Sequence, residues 1–132
     1  MSINAKLIGA GHALAQNIVT SEDLETQMEF DKYGIRKGMS KLLSGVSERR
    51  FASPDENSST FAIKAGKMAL ENANVAPEDV DILIFAAITQ DFAEPATANV
   101  IQHELKLVNA KCFDVKNACN AFLSSIEIAN MY

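Results

Sequence analysis

Cys119 lies in Phe113-Asp114-Val115-Lys116-Asn117-Ala118-Cys119-Asn120-Ala121-Phe122, where a short apolar strand gives out at Lys116-Asn117 and an apolar helical run begins at or just after the cysteine. A thiol at such a junction can act as a nucleophile, because the N–H groups of a first helical turn favour thiolate over thiol. The same position also suits an inert role, since cysteine is among the most buried residue types and packs as a small apolar side chain. On the residues alone both readings of Cys119 stand.

Other constellations that could do chemistry are incomplete. Gly9-Ala10-Gly11 lacks the third glycine of a dinucleotide fingerprint, with Leu14 in its place, and reads as a tight turn closing a strand. No phosphate-binding Gly-x-x-x-x-Gly-Lys loop and no Gly-x-Ser-x-Gly elbow occurs. His12 and His103 lack metal-ligand spacing, which makes them ordinary loop and helix-surface histidines and leaves no metal site expected. Neither is assignable as a base for Cys119. Cys112 and Cys119 form no Cys-x-x-Cys pair, and two internal cysteines without a disulfide framework point to a reduced, cytoplasmic protein.

The elements that would position Cys119 alternate between strand and helix. Residues 6–11 read as a first strand closing on glycines, and Thr20-Ser21-Glu22-Asp23 as a helix start with acidic residues in the first turn. Residues 36–50, basic, partly helical and interrupted by Gly38 and Gly45, read as a loop-rich excursion with a solvated face. Asn57-Ser58-Ser59-Thr60 supplies caps for a helix over 60–73, with Phe61, Ala65, Met68 and Ala69 at helical spacing. After Pro77, residues 81–88 are apolar beyond their first residue, the pattern of a strand covered on both faces in a parallel or mixed sheet. Pro95 opens a helix with Ala98, Ile101 and Leu105 on one side, 111–115 gives a further strand, and 119–132 a helix apolar nearly all round. Such a helix needs neighbours on every face. The chain is therefore expected to be one α/β domain over 1–132, a truncated piece of something larger that would not behave as a stable monomer.

Composition bounds the function. At 48% hydrophobic and 22% charged, the 132 residues can bury a core. The net charge of −5, with no basic stripe, argues against nucleic-acid binding, which requires phosphate neutralisation. No apolar run reaches bilayer length, and the first six residues lack the basic and apolar regions of a signal peptide.

Taken in order, several segments resemble one family: Ile8-Gly9-Ala10-Gly11, Val19-Thr20-Ser21-Glu22-Asp23-Leu24-Glu25, Ser44-Gly45-Val46-Ser47-Glu48-Arg49-Arg50, Glu94-Pro95-Ala96-Thr97-Ala98 with Ile101-Gln102, and Phe113-Asp114-Val115 through Ala118-Cys119 to Phe122. The chain is similar along essentially its whole length to the N-terminal part of the thiolase-fold condensing enzymes of the β-ketoacyl-[acyl-carrier-protein] synthase III group. The resemblance implies a thiolase-like α/β fold with a mixed sheet between helices, and Cys119 as the acyl-accepting nucleophile. It also implies a Claisen condensation in fatty-acid-derived metabolism, a homodimer, and a histidine and an asparagine from a C-terminal half. No covalently bound cofactor is implied; acyl-coenzyme A or acyl carrier protein thioesters would be substrates. A non-catalytic thiolase-like subunit that pairs with an active partner is the alternative outside enzymology.

Two departures refine the resemblance. The group that initiates fatty acid synthesis carries a tryptophan-containing segment that helps hold coenzyme A, whereas this chain has no tryptophan and a longer excursion from Tyr33 to Leu43, so its coenzyme A contacts are unassigned. Glu94 stands where those enzymes usually have an apolar residue, and Glu94-Pro95-Ala96-Thr97-Ala98 with Asn117-Ala118-Cys119 is more similar to OleA-type thiolases, which join two acyl-coenzyme A molecules. There the resemblance implies a base that reaches across the dimer to deprotonate the second substrate; a carboxylate among apolar groups is a stronger base than one in water. The plainer role for Glu94 is an anion at the N-terminus of the helix that Pro95 opens.

Overall fold

A computed structural model describes residues 6–132, so residues 1–5, which bear on the signal-peptide expectation, lie outside the described residues. The chain forms two compact units, Leu14–Glu56 and the remainder.

In Leu14–Glu56, β1 (Asn17–Thr20) leads directly into α1 (Ser21–Gln27). Thr20 is the cap: its hydroxyl accepts the Asp23 N–H at 3.0 Å and donates to the Asp23 carboxylate at 2.6 Å, the reciprocal start that the Thr-Ser-Glu-Asp run encodes. The expected loop-rich excursion contains two regular elements, α2 (Met39–Ser44) and β2 (Glu48–Phe51), and β2 pairs antiparallel with β1. Gly38 and Gly45 do not interrupt structure. They bound α2 with φ of 85° and 71°, values that suit a residue without Cβ. Gly38 has no side chain to cap the helix, so Glu25, only 2% exposed, reaches from α1 to accept the Gly38 and Ser40 N–H groups, each at 2.7 Å. Those two bonds hold its carboxyl below the usual carboxylate range.

The second unit carries α3 (Ser58–Ala73), β3 (Ile82–Ala86), α4 (Thr97–Leu105), β4 (Lys111–Val115) and α5 (Ala121–Met131). β3 and β4 pair in parallel, Ile84 opposite Phe113 and Ala86 opposite Val115. The α4 stripe of Ala98, Ile101 and Leu105 is buried as its spacing predicts, and with Phe85, Leu107 and Ala110 it forms the core, against which Ala62, Ile63 and Leu70 of α3 pack. Gln102 closes the turn after α4 by donating to the Ala110 carbonyl at 2.6 Å and the Leu107 carbonyl at 3.2 Å.

Three expectations need correction. Residues 6–11 form no strand: Gly9 and Gly11 instead lie against α3, where a Cβ on Gly9 would stand 2.6 Å from the Ala69 carbonyl oxygen and one on Gly11 2.1 Å from that of Ala65. Close approach to a helix, not a turn, is what requires glycine at both. Pro95 lies ahead of the helix; Ala96 is the N-cap and Thr97 the first helical residue of α4. The strand at 81–88 is shorter, and among the described residues β3 is not covered throughout, since only Phe85 of its five residues is buried. α5 likewise exposes Phe122, Leu123, Ile126 and Met131, as the all-round apolar pattern of this helix anticipates.

Candidate active site

β4 ends at Val115, and the next residues turn sharply into α5. Asn117 adopts φ −146° and ψ 49°, and Ala118 a positive φ of 44°. An L-residue held there costs about 1–2 kcal/mol relative to a right-handed conformation, strain of the sort that collects at functional turns. A short 3₁₀ turn, Ala118–Asn120, follows and presents the Cys119 thiol to solvent immediately ahead of α5. The turn is held by its own asparagines: the Asn120 N–H donates to the Asn117 carbonyl at 2.9 Å, and the Asn117 side-chain amide to Ser124 Oγ at 2.9 Å. Asn120 reaches the same hydroxyl at 3.5 Å. These asparagines therefore shape the turn around Cys119. An apolar groove of about 300 Å³ runs between β3 and α5, lined by Ile82, Ile84, Ala86, Phe122, Ser125, Ile126 and Ala129; none of the turn residues 117–120 lines it.

Cys112 has the opposite setting. It lies within β4, half-buried, with its sulfur 2.8 Å from Asn99 Oδ1 and 3.1 Å from Gln102 Oε1, so the S–H has amide acceptors to donate to. Burial, and then the nearby Asp114 carboxylate, push this thiol above its ordinary value.

Glu94 precedes α4 in an exposed stretch, not in an apolar pocket formed by this chain. The hydrogen bonds at the start of that helix go to Asp114 of β4, which accepts the Thr97 N–H on Oδ2 at 2.9 Å and the Ala98 N–H on Oδ1 at 2.8 Å. Among the described residues no hydrogen bond or ion pair joins Glu94 to Cys119; their segments are connected through Asp114. Sequence reasoning missed Asp114, whose one signal is an acidic residue between the apolar Phe113 and Val115 of a strand.

The remaining polar candidates serve the fold. In the Ser44-to-Arg50 motif, Arg49 donates to Ser21 Oγ at 2.9 Å and Arg50 to the Ala15 carbonyl at 2.9 Å. His12 and His103 are exposed on separate segments, and no group of three or more His, Cys, Asp or Glu residues that could hold a metal occurs among the described residues. No described helix is long and apolar enough to cross a membrane.

No protein-family model matches the chain. It is 36% identical over 130 residues to β-ketoacyl-[acyl-carrier-protein] synthase III of Caldanaerobacter subterraneus, an alignment that takes in 98% of this chain and 38% of that protein. The enzyme of the same name from Listeria innocua is 37% identical, again over 98% of this chain and 40% of its own length. Among solved structures, 3-oxoacyl-[acyl-carrier-protein] synthase III from Aquifex aeolicus superposes with TM-score 0.82 at 34% identity, covering 94% of this chain and 38% of that one. A variant of Xanthomonas campestris OleA superposes with TM-score 0.87 at 30% identity, covering 95% and 37%. The chain thus spans about two fifths of the length of the curated relatives it matches. Its fold is that of the thiolase-like condensing enzymes. Within that class it is a homologue of the β-ketoacyl-[acyl-carrier-protein] synthase III and OleA group.

Proposed function

We propose that this chain is the nucleophile-bearing part of an acyl-thioester condensing enzyme, with Cys119 as the acyl acceptor. The carrying observation is the exposed thiol at the strained turn from β4 into α5. In the first step the Cys119 sulfur attacks the acyl carbonyl, a new thioester forms, and the donor's thiolate leaves. In the second, a carbanion at C2 of another acyl thioester attacks the Cys119-bound acyl carbon, making the carbon–carbon bond and releasing Cys119. Thioester exchanged for thioester is close to balanced in energy, so the acyl group stays electrophilic. The developing oxyanion needs hydrogen-bond donors, and residues outside this chain would supply them.

The carbanion has two possible origins. Glu94, exposed ahead of α4, is free to serve a site other than its own chain's, and in a homodimer it would remove the C2 proton of an unactivated acyl thioester across the interface. The OleA relatives include structures of variants at one glutamate, consistent with weight on such a residue in that protein. The second reading, implied by the resemblance to the β-ketoacyl-[acyl-carrier-protein] synthase III group, is decarboxylation of a malonyl acceptor, in which no base is required. The substrates in either case are acyl-coenzyme A or acyl carrier protein thioesters.

Glu94→Gln separates the two. It keeps the shape of the side chain and removes the proton acceptor, so Cys119 should still acylate while condensation without malonyl falls by about 100-fold or more. Acylation and condensation lost in parallel would instead assign Glu94 to binding or packing. Unchanged condensation, dependent on a malonyl thioester, would favour the decarboxylative route.

A further inference from the structure

The loop that carries Glu94 is fixed at both ends by one polar network. Thr97, the first residue of α4, is completely buried (0% exposed), and its hydroxyl accepts the Asp91 N–H at 3.2 Å. The Asp91 carboxylate in turn accepts the Ser58 and Ser59 N–H groups at the start of α3, at 3.0 and 3.1 Å. Asp114 closes the circuit. Beyond its bonds to Thr97 and Ala98 it accepts the Gln90 side-chain amide on Oδ2 at 3.0 Å. A single carboxylate on the strand leading to Cys119 therefore grips the loop before Glu94, at Gln90, and after it, at Thr97 and Ala98.

Local sequence offers no substitute for this grip. The first N–H groups of a helix need an acceptor, ordinarily the side chain of the N-cap residue. The N-cap of α4 is Ala96, which has none. The start of α4, and with it the path of residues 90–96, depends on a group from β4. Gln90 and the two backbone donors are all neutral N–H groups, so the charged acceptor is matched by three donors and no cation.

We infer that Asp114 is a positioning residue for the proposed condensation: it sets where the Glu94 loop stands relative to the strand and turn bearing Cys119. The catalytic part of this inference rests on Glu94 acting as the base. The grip on the loop does not.

Asp114→Asn tests both parts. The carboxamide keeps the size of the side chain but offers one oxygen where two backbone donors need separate acceptors, and its NH₂ faces the other donor. Amide hydrogen exchange should quicken by about 10-fold or more at Asp91, Thr97 and Ala98, the amides this network holds, with α5 unchanged. With myristoyl-coenzyme A as the acyl donor and assembled, condensing protein, Cys119 acylation should stay within about threefold while condensation drops by about 10-fold or more, and Asp114→Asn should add nothing to the loss already caused by Glu94→Gln. Asp114→Ser, which removes the amide clash, serves if the first variant does not fold, with the same expected pattern. Unchanged exchange at Asp91, Thr97 and Ala98 would overturn the inference outright. So would equal loss of acylation and condensation, or losses from the two substitutions that multiply. Should Glu94→Gln itself condense normally, the base reading fails, and the exchange measurement still decides whether Asp114 holds the loop.

Discussion

Cys112 and Cys119 belong to one short segment of chain, yet the fold gives them opposite settings. Cys112 lies inside β4, where regular pairing half-buries the side chain, Asn99 and Gln102 offer oxygens to its S–H, and burial and then Asp114 discourage its charge. Cys119 lies just past the end of that strand, on a turn with Ala118 at positive φ, and its thiol is exposed at the start of a helix. The difference is one of backbone. A strand interior satisfies and shelters a thiol, whereas a strained strand-to-helix turn aims it outward at the end of a rigid element. Regular structure upstream supplies rigidity, and the irregular residues supply access.

Removing each sulfur should break this comparison most visibly. Cys119→Ala is expected to reduce condensation in assembled protein by about 10³-fold or more, and Cys112→Ala by no more than about threefold. A short iodoacetamide pulse near neutral pH sharpens the contrast: Cys119 should label at least about 10 times faster than Cys112, read by peptide mapping. Because burial and Asp114 hold the Cys112 thiol above its ordinary value, its labelling should go on rising beyond the usual thiol range of about 8.5.

The contrast also extends to carboxylates that hold helix starts from a distance. Glu25 does for α2 what Asp114 does for α4. Its folded-state carboxyl gives up its proton more readily than in the unfolded chain, so its contribution to stability is complete above the ordinary glutamate value of about 4.3 and is lost as pH falls through the lower folded value. Thermal melts in increasingly acid buffer should therefore show a decline that Glu25→Gln flattens, the variant being already less stable at neutral pH because one carboxamide oxygen cannot match two. The smallest effect belongs to the turn itself. Ala118→Gly should relieve the positive φ and, net of glycine's greater freedom in the unfolded chain, raise stability by about 0.5 kcal/mol in denaturant unfolding.

Where structure is local, the residues announce it. The β4 bounds, the buried stripe of α4, the capping run before α1 and the position of Cys119 at a strand-to-helix junction all follow from periodicity and capping types within a few residues. What the residues conceal depends on partners far along the chain. Gly9 and Gly11 read as a turn after a strand because nothing nearby reveals that α3 passes within reach of a Cβ. The partly helical excursion at 36–50 hides a strand because β2 exists only through its pairing with β1, and it hides the cap of α2 because that cap is Glu25, from another helix. Asp114 looks like a misplaced charge in a strand until the bare N-cap of α4 is set beside it. Family resemblance, not local pattern, singles out Glu94, which stands exposed ahead of α4.

In the proposed reaction Cys119, and not Cys112, carries the acyl group. Incubation with myristoyl-coenzyme A, rapid acid quench and peptide mapping by mass spectrometry measures it directly. A single acyl adduct is expected on the peptide containing Cys119, absent from Cys119→Ala and retained in Cys112→Ala. An adduct on Cys112, or condensation that proceeds in Cys119→Ala protein, would contradict the account.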